Sequence, residues 1–287
     1  MRFATDSGPM TLIHSTEDLS NWRSSILDQT VAFVPTMGAL HKGHLQLIQI
    51  ASQKCDIVVV SIFVNALQFG DSEDFDKYPR SLDSDYEASI AAGASIVFAP
   101  STAEMFPTNF DGYITPSLTA NNFEGASRPG HFAGVVTVVN RLFDLVKPDV
   151  AIFGAKDFQQ VSVIREMSQR LHPTIEIHRV DTIRDADGLA LSSRNSRLSP
   201  TARTKARVIP EALFKLRAEF QAGQLDISLL KQIAHQILDS EQDLKIEYLD
   251  IVDCDTLDKQ AIASPGSSVV LFAGAIDGVR LIDNLEL

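Results

Sequence analysis

The sequence has few cysteines, no excess of positive charge and no long apolar run. Its two cysteines, Cys55 and Cys254, lie far apart among 287 residues and match no metal-binding or redox spacing. We therefore interpret them as reduced thiols of a cytoplasmic protein. The 25 basic and 37 acidic residues give a net charge of −12, which argues against a protein that coats nucleic acid or an anionic membrane.

Signals for membrane insertion or export are also missing. The longest apolar run, residues 57–64, is far shorter than a membrane span, and residues 1–10 lack the apolar centre of a signal peptide. We assign no function to these ten residues. The hydrophobic share of 45% and the charged share of 22% are typical of a globular protein. We therefore expect small-molecule partners, with no nucleic acid and no membrane.

Apolar, β-branched runs alternate with helical patterns over the first two thirds of the chain. Strand, crossover helix and parallel strand in repetition predict an α/β fold with a doubly wound, Rossmann-like parallel sheet. Ligands of such sheets bind beyond the carboxyl ends of the strands. The predicted strands are residues 31–35, 57–64, 95–99, 150–153 and 175–180, and the predicted helices are residues 44–52, 86–92, 134–146 and 158–170.

The pattern changes near residue 185, and we predict two domains, residues 1–184 and 185–287. The second is expected to be a smaller α+β domain. It begins with a helix over residues 201–220 that breaks or restarts at Pro210, and a second helix follows the N-cap Asp226. Strands are predicted at residues 245–252 and 269–275, and a hairpin turn at 277–278 leads into a last strand.

The loop after the first predicted strand carries two histidines and two glycines. Gly38 and Gly43 allow close approach of a ligand to the backbone, and His44 falls at or near a helix start, which favours phosphate. His41 and His44 suit the charge of a triphosphate under nucleophilic attack. The alternatives are a zinc pair or two unconnected surface histidines. Zinc would lack further ligands, because the other histidines form no cluster in sequence, and we name no metal-binding residue.

Two amides follow the second strand, and a basic turn follows the fourth. Asn65 and Gln68 are neutral, so they could hold a nucleophilic acid without neutralising its charge; an arginine would neutralise it. The alternative is an ordinary turn with an Asn cap. Lys156 is either a phosphate ligand or a solvated lysine. Asp157 is either a helix N-cap or a ribose contact, and Gln160 lies one turn inside the following helix.

Two further polar segments complete the candidate set. Ser192 and Ser193 precede Arg194, which can bind phosphate bidentately, although such a loop is commonplace by itself. The glycine-rich segment 124–132 is either a mobile lid or an ordinary surface loop.

Together these segments closely resemble the pantothenate synthetase (pantoate–β-alanine ligase) family. The likeness runs from about Val31 to the C-terminus, with seven motifs in the family's order. The wider superfamily of nucleotidyltransferases and class I aminoacyl-tRNA synthetases shares only the His-x-Gly-His element and a later basic loop. The motifs read VPTMGALHKGH, VVVSIFVNALQF, YPRSL, EGASRPGHFAGV, FGAKDFQQ, DGLALSSRN and RLIDN.

The resemblance implies a nucleotidyltransferase-type fold and a two-step, AMP-forming ligase reaction. Pantoate attacks ATP to give pantoyl adenylate and pyrophosphate, and β-alanine then displaces AMP. His44 would donate a proton to the phosphate chain with support from His41, and Lys156 and Arg194 would also be catalytic. Gln68 would bind pantoate and later β-alanine, and Gln160 pantoate, with Asn65 as a further substrate contact. The implied ATP contacts are Met37, Gly38, Ala39, Leu40, His41, Lys42, Gly43, His44, Gly154, Ala155, Lys156, Asp157, Ile183, Leu191, Ser192, Ser193 and Arg194.

The resemblance also implies Mg²⁺ held mainly through the ATP phosphates, a homodimer, and a C-terminal domain that closes over the nucleotide. Two positions depart from the family. Ala155 stands where a glutamate is usual, and Ala66 stands where a proline would stiffen the loop that carries Gln68.

Two other functions are weighed against the ligase. A nucleotidyltransferase that stops after nucleotidyl transfer would share the histidine loop but gives no reason for Gln68 and Gln160. A catalytically idle nucleotide-binding protein would account for Ala155. The retention of four residues argues against it, namely His41, His44, Lys156 and Arg194. We therefore favour the ligase.

Overall fold

A computed structural model describes residues 11–70, 75, 76 and 78–287. The ten leading residues, to which we assign no function, lie outside this range. The chain forms two compact units. The first comprises the residues up to Phe153 together with Val163–Val180, and the second comprises Gly154–Ser162 and Asp181–Leu287. The domain boundary expected between residues 184 and 185 stays a prediction.

The first unit is built on a six-stranded parallel sheet with the strand order β1-β4-β3-β2-β5-β6. The central strands β2 and β3 are almost wholly buried, as expected when both faces of a parallel sheet are covered. The doubly wound α/β fold is thereby confirmed. The strands are β1 (Thr11–Ile13), β2 (Val31–Thr36), β3 (Ile57–Ile62), β4 (Ile96–Phe98), β5 (Val150–Gly154) and β6 (Glu176–Val180).

Helices connect these strands along the chain. The long helix α6 buries Val135, Val139, Leu142 and Val146 at helical spacing, because these side chains share one face. The helices described in full in the first two thirds are α1 (Thr16–Ser24), α2 (Lys42–Lys54), α3 (Leu82–Ala91), α4 (Thr102–Met105), α5 (Glu124–Ser127), α6 (His131–Val146) and α7 (Phe158–Leu171). Short 3-10 helices lie at Ala66–Gln68, Leu118–Ala120 and Ala155–Asp157.

The register of β2 and β3 brings two of the predicted loops to one edge of the sheet. Thr36 at the end of β2 is paired with Ile62 at the end of β3. The histidine loop and the Asn65–Gln68 turn therefore leave neighbouring strands at the same level.

The second unit contains an antiparallel sheet of β7 (Lys245–Asp253), β8 (Ser268–Ile276) and β9 (Val279–Glu286). Its core joins apolar residues of this sheet, such as Phe272, to those of its helices, such as Leu216 and Leu230. The remaining helices are α8 (Pro200–Ala206), α9 (Val208–Gln221) and α10 (Ile227–Leu238), and a 3-10 helix covers Ser193–Arg197. The expected small α+β domain is therefore observed as an architecture.

Two local expectations need correction. The helix break lies at Arg207 rather than at Pro210, which sits in the first turn of α9, where proline's missing N–H is tolerated. The three-residue strand β1 was not predicted. Within the described residues, no helix is long and apolar enough to cross a membrane.

Candidate active site

The histidine loop is held in an uncommon backbone conformation by a buried carboxylate. Gly38 and Ala39 have φ angles of +80° and +51°. Asp85, 4% exposed on α3, accepts the backbone N–H groups of Ala39 and Leu40 through its two oxygens, each at 2.8 Å. A Cβ atom at Gly38 would lie 2.9 Å from the Asp85 carboxylate, so this position requires glycine.

The two histidines form the N-terminal cap of α2. Nδ1 of His41 accepts the Gly43 N–H at 3.1 Å, and Nδ1 of His44 accepts the His41 N–H at 3.3 Å. The two rings stack with centroids 4.1 Å apart. A backbone N–H can only donate, so Nδ1 carries no proton and each neutral ring is protonated at Nε2. The cap thus makes Nε2–H the donor of each ring.

The Asn65–Gln68 turn forms one amide network with the histidine loop. Asn65 is 1% exposed, and its Nδ2 donates to Gln68 Oε1 at 3.2 Å and to the Gly134 carbonyl at 3.0 Å. Its Oδ1 accepts the Leu67 N–H. Gln68 Nε2 consequently faces the other way, 2.9 Å from Met37 Sδ. The geometry fits Asn65 as the residue that orients Gln68, and Gln68 as the residue that presents an N–H donor.

Residues at the end of the glycine-rich segment 124–132 support the same turn, and the mobile lid considered for this segment stays a prediction. His131 Nδ1 lies 2.9 Å from the Gln68 carbonyl, and Arg128 Nη1 lies 3.2 Å from His131 Nε2. A Cβ atom at Gly134 would lie 2.3 Å from the Leu67 carbonyl oxygen. This glycine, which lies in α6 just after the segment, therefore allows α6 to approach the turn closely.

The second unit holds the basic turn expected to bind ATP. Gly154 ends β5, and Ala155, Lys156 and Asp157 form the 3-10 helix that precedes α7. Ala155 is 3% exposed, and its backbone carbonyl is in use, accepting a hydrogen bond from Asn284 at 2.8 Å. In this chain, residue 155 therefore makes its hydrogen bond to Asn284 through its backbone. Gln160 is the third residue of α7.

The remaining predicted ATP contacts lie on one ordered hairpin of the second unit. The Leu191 N–H donates to the Ile183 carbonyl at 2.8 Å, and an antiparallel bridge joins Arg184 to Ala190. Ser192 caps the 3-10 helix that follows by accepting the Arg194 N–H. The hairpin thus places Ile183 beside Leu191 and starts the helix that contains Ser193 and Arg194.

Sequence patterns did not indicate the residues that hold these loops. Asp85 has the signature of an ordinary acidic residue in a first helical turn, and His131 lies in a segment that suggested flexibility. Asn284 belongs to the RLIDN motif, which had no assigned role. In each case the contact joins residues 45 or more positions apart, so local spacing does not show it.

The fold and these loops define an α/β enzyme that uses a phosphorylated ligand. The family model described as pantoate-beta-alanine ligase matches residues 11–286. The chain is 46% identical to a pantothenate synthetase of Neisseria meningitidis serogroup A over 279 residues, 97% of this chain and 99% of that protein. It is 43% identical to the pantothenate synthetase of Heliobacterium modesticaldum over 278 residues, 96% and 99% of the two chains.

Solved structures agree with the sequence relatives. The pantothenate synthetase of Thermus thermophilus superposes with a TM-score of 0.91 at 41% identity, covering 96% of this chain and 99% of that one. The pantoate-beta-alanine ligase of Francisella tularensis, solved with beta-gamma ATP and beta-alanine, has a TM-score of 0.81 at 35% identity, covering 96% and 97%. The chain belongs to the pantoate–β-alanine ligase family and is a ligase.

Proposed function

We propose that the chain condenses pantoate with β-alanine at the expense of ATP, through a pantoyl-adenylate intermediate. The observation that carries the proposal is the contact between Met37 in the predicted ATP loop and Gln68 in the predicted acid-binding turn. An acid held by Gln68 Nε2 would lie beside the loop expected to hold the triphosphate. A carboxylate nucleophile and its electrophile need this proximity.

In the first step a pantoate carboxylate oxygen attacks the α-phosphorus of ATP, and the bond to pyrophosphate breaks. His44, with support from His41, donates Nε2–H to the phosphate chain as negative charge builds there. Lys156 and Arg194 of the second unit contribute positive charge to the phosphates. In the second step the β-alanine amine attacks the acyl carbon, AMP leaves, and the nitrogen loses a proton to give the amide.

Binding roles divide among the remaining predicted residues. We assign pantoate to Gln68 and Gln160, and β-alanine to Gln68 after pyrophosphate has left. ATP is assigned to Met37–His44, Gly154–Asp157, Ile183 and Leu191–Arg194. The described residues contain no group of three or more His, Cys, Asp or Glu that could hold a metal. Triphosphate chemistry implies Mg²⁺, which would be held mainly through phosphate oxygens, where it would neutralise charge.

We also propose a homodimer and a cytoplasmic location. The resemblance to the ligase family supports the homodimer. Light scattering should give about twice the chain mass of 31.4 kDa, and a monomer at micromolar concentration would remove the dimer. The use of ATP supports a cytoplasmic location, which cell fractionation tests.

Product analysis tests the reaction. The purified chain is incubated with Mg-ATP and pantoate, with and without β-alanine, and the products are identified by mass spectrometry. AMP and pantothenate in the complete mixture support the ligase. A stable nucleotidylated phosphate would support a transferase, and ATP binding without turnover would indicate an idle protein.

Two substitutions test the roles of the two ring nitrogen atoms of His44 individually. His44→Asn keeps an acceptor near the Nδ1 position for the cap but lacks Nε2, whereas His44→Gln keeps an N–H donor near Nε2. We expect His44→Asn to fold normally and to slow adenylate formation about 10²- to 10³-fold, and His44→Gln to retain more activity. His14→Ala, on the exposed His14 of the same unit, is the control. Near-normal single-turnover adenylation in His44→Asn would remove His44 from the mechanism.

A further inference from the structure

Asn284 connects the C-terminal strand to the turn that carries Lys156. It lies on β9 and is 5% exposed. Its Nδ2 donates to the backbone carbonyls of Ala155 and Lys156, both at 2.8 Å. These partners lie 129 and 128 positions earlier in the chain, within the same compact unit. Both hydrogen atoms of the amide are therefore used on one short turn.

The two accepting carbonyls flank the Lys156 Cα atom. The first belongs to the peptide group before that atom and the second to the peptide group after it. Because each peptide group is planar, fixing both of them fixes the φ and ψ angles of Lys156. The direction in which the side chain leaves the backbone follows. A turn of three residues, Ala155–Asp157, has little hydrogen bonding of its own that could do this.

Asn284 is itself held firmly. Its N–H donates to the Asp283 carboxylate at 2.7 Å, and its carbonyl accepts from Arg184 at 3.0 Å. Arg184 also binds Asp283 through two nitrogen atoms, at 2.7 and 2.9 Å. The ladder between β8 and β9 pairs Asn284 with Leu271. These contacts fix the backbone from which the side-chain amide of Asn284 extends.

We propose that Asn284 is a positioning residue that aims Lys156 at the phosphates of ATP. The proposal rests on the proposed function, in which Lys156 binds ATP. An amide suits this role because it supplies two donors without a charge, and so does not compete with the Lys156 ammonium group for phosphate. The RLIDN motif thereby acquires a function, because Asp283 and Asn284 organise the turn.

A double-mutant cycle between Asn284→Ala and Lys156→Ala tests this. The readouts are pantoate-dependent exchange of pyrophosphate into ATP and the Kd for Mg-ATP by calorimetry. Asn284→Ala should lower kcat/KM for ATP about 10- to 100-fold, because two hydrogen bonds that fix the turn are lost. In the Lys156→Ala background the same change should matter less than about threefold, because the residue it positions is gone.

Gln260→Ala is the matched control. Gln260 also carries a hydrogen-bonded side-chain amide in the second unit, donating to Asp253 at 3.2 Å and accepting from Ser268 at 2.9 Å. Its loss should change the unfolding temperature without changing kcat/KM for ATP. If Asn284→Ala does not fold, Asn284→Ser, which keeps one donor, replaces it in the cycle.

The outcomes distinguish the two proposals. Equal losses from Asn284→Ala in both backgrounds would overturn the positioning role while leaving the ligase intact. Absence of pantoate-dependent exchange in the unmodified chain would overturn the proposed function, and the ATP Kd values of the four proteins would still decide whether Asn284 acts through Lys156. A loss confined to the background that retains Lys156 supports the proposal.

Discussion

The Asp85 carboxylate should control both the stability of the histidine loop and its competence for adenylation. Asp85→Asn keeps the shape of the side chain but replaces one oxygen with an NH₂ group. That group would face a backbone N–H of Ala39 or Leu40, both of which now donate to Asp85 at 2.8 Å. One charge-assisted hydrogen bond is lost and a donor meets a donor, so we expect a loss of about 1.5–3 kcal/mol in unfolding free energy.

Asp85→Asn should also slow adenylation, because it changes the conformation of the histidine loop. Ala39 has a φ of +51°, a conformation that costs about 1–2 kcal/mol for a residue with a Cβ and persists only while its surroundings impose it. Without the carboxylate the loop should relax and displace His41 and His44. Because a misplacement of about 1 Å can cost about 10²-fold, kcat/KM for ATP should fall by about that factor. The KM for pantoate should change little.

Asp83→Asn is the matched control. Asp83 lies in the same first turn of α3 but is exposed, so its substitution removes the same interaction with the helix dipole without touching the loop. Urea unfolding gives the stability difference, and pyrophosphate exchange gives the adenylation rate. The reasoning is refuted if Asp85→Asn unfolds at the same urea concentration as Asp83→Asn and keeps adenylation within threefold.

Two further predictions concern packing and pH. Gly134→Ala should lower the free energy of unfolding by about 1–3 kcal/mol and raise the KM for pantoate, because the new methyl group meets the Leu67 carbonyl. Thermal unfolding measures the first effect, and steady-state kinetics measures the second. Burial would raise the pKa of Asp250, but Lys231 and Lys259 outweigh it and lower that pKa. Stability from Asp250 is thus present above about pH 4 and lost below it, so Asp250→Asn should show a shallower acid decline in urea unfolding.

The sequence predicted most helices and strands of this fold, because the spacing of nearby residues determines where they form. Strand β3 is a continuous apolar run, α6 has a helical stripe, and the hairpin turn at Asp277 and Gly278 has the φ angles of +51° and +72° that an Asp-Gly pair favours. The helix break was predicted at Pro210 instead of Arg207, because a proline can either end one helix or occupy the first turn of the next. Sequence alone does not show which applies.

The candidate site was predictable only in part, for a related reason. Histidines, lysine and arginine that suit phosphate can be identified in the sequence by their chemistry. The residues that orient them cannot, because an aspartate in a helix and an asparagine in a strand have many ordinary explanations. Asn65 illustrates the boundary: its contact with substrate stays a prediction, and only the structure shows that its amide bonds to Gln68 and Gly134. Chemistry suggested the residue, and only the fold showed what it touches.

Asp85 and Asn284 solve one physical problem with opposite chemistry. A loop that presents a functional side chain in a fixed direction departs from regular secondary structure, so some of its backbone polar groups lack a helix or sheet partner. In the histidine loop these groups are N–H donors, and a carboxylate accepts them; in the Lys156 turn they are carbonyls, and an amide donates to them. With the two side-chain types exchanged, an amide NH₂ group would face N–H donors in the histidine loop, and a carboxylate would face carbonyl oxygens in the Lys156 turn. The identity of each residue is therefore set by the backbone groups it completes.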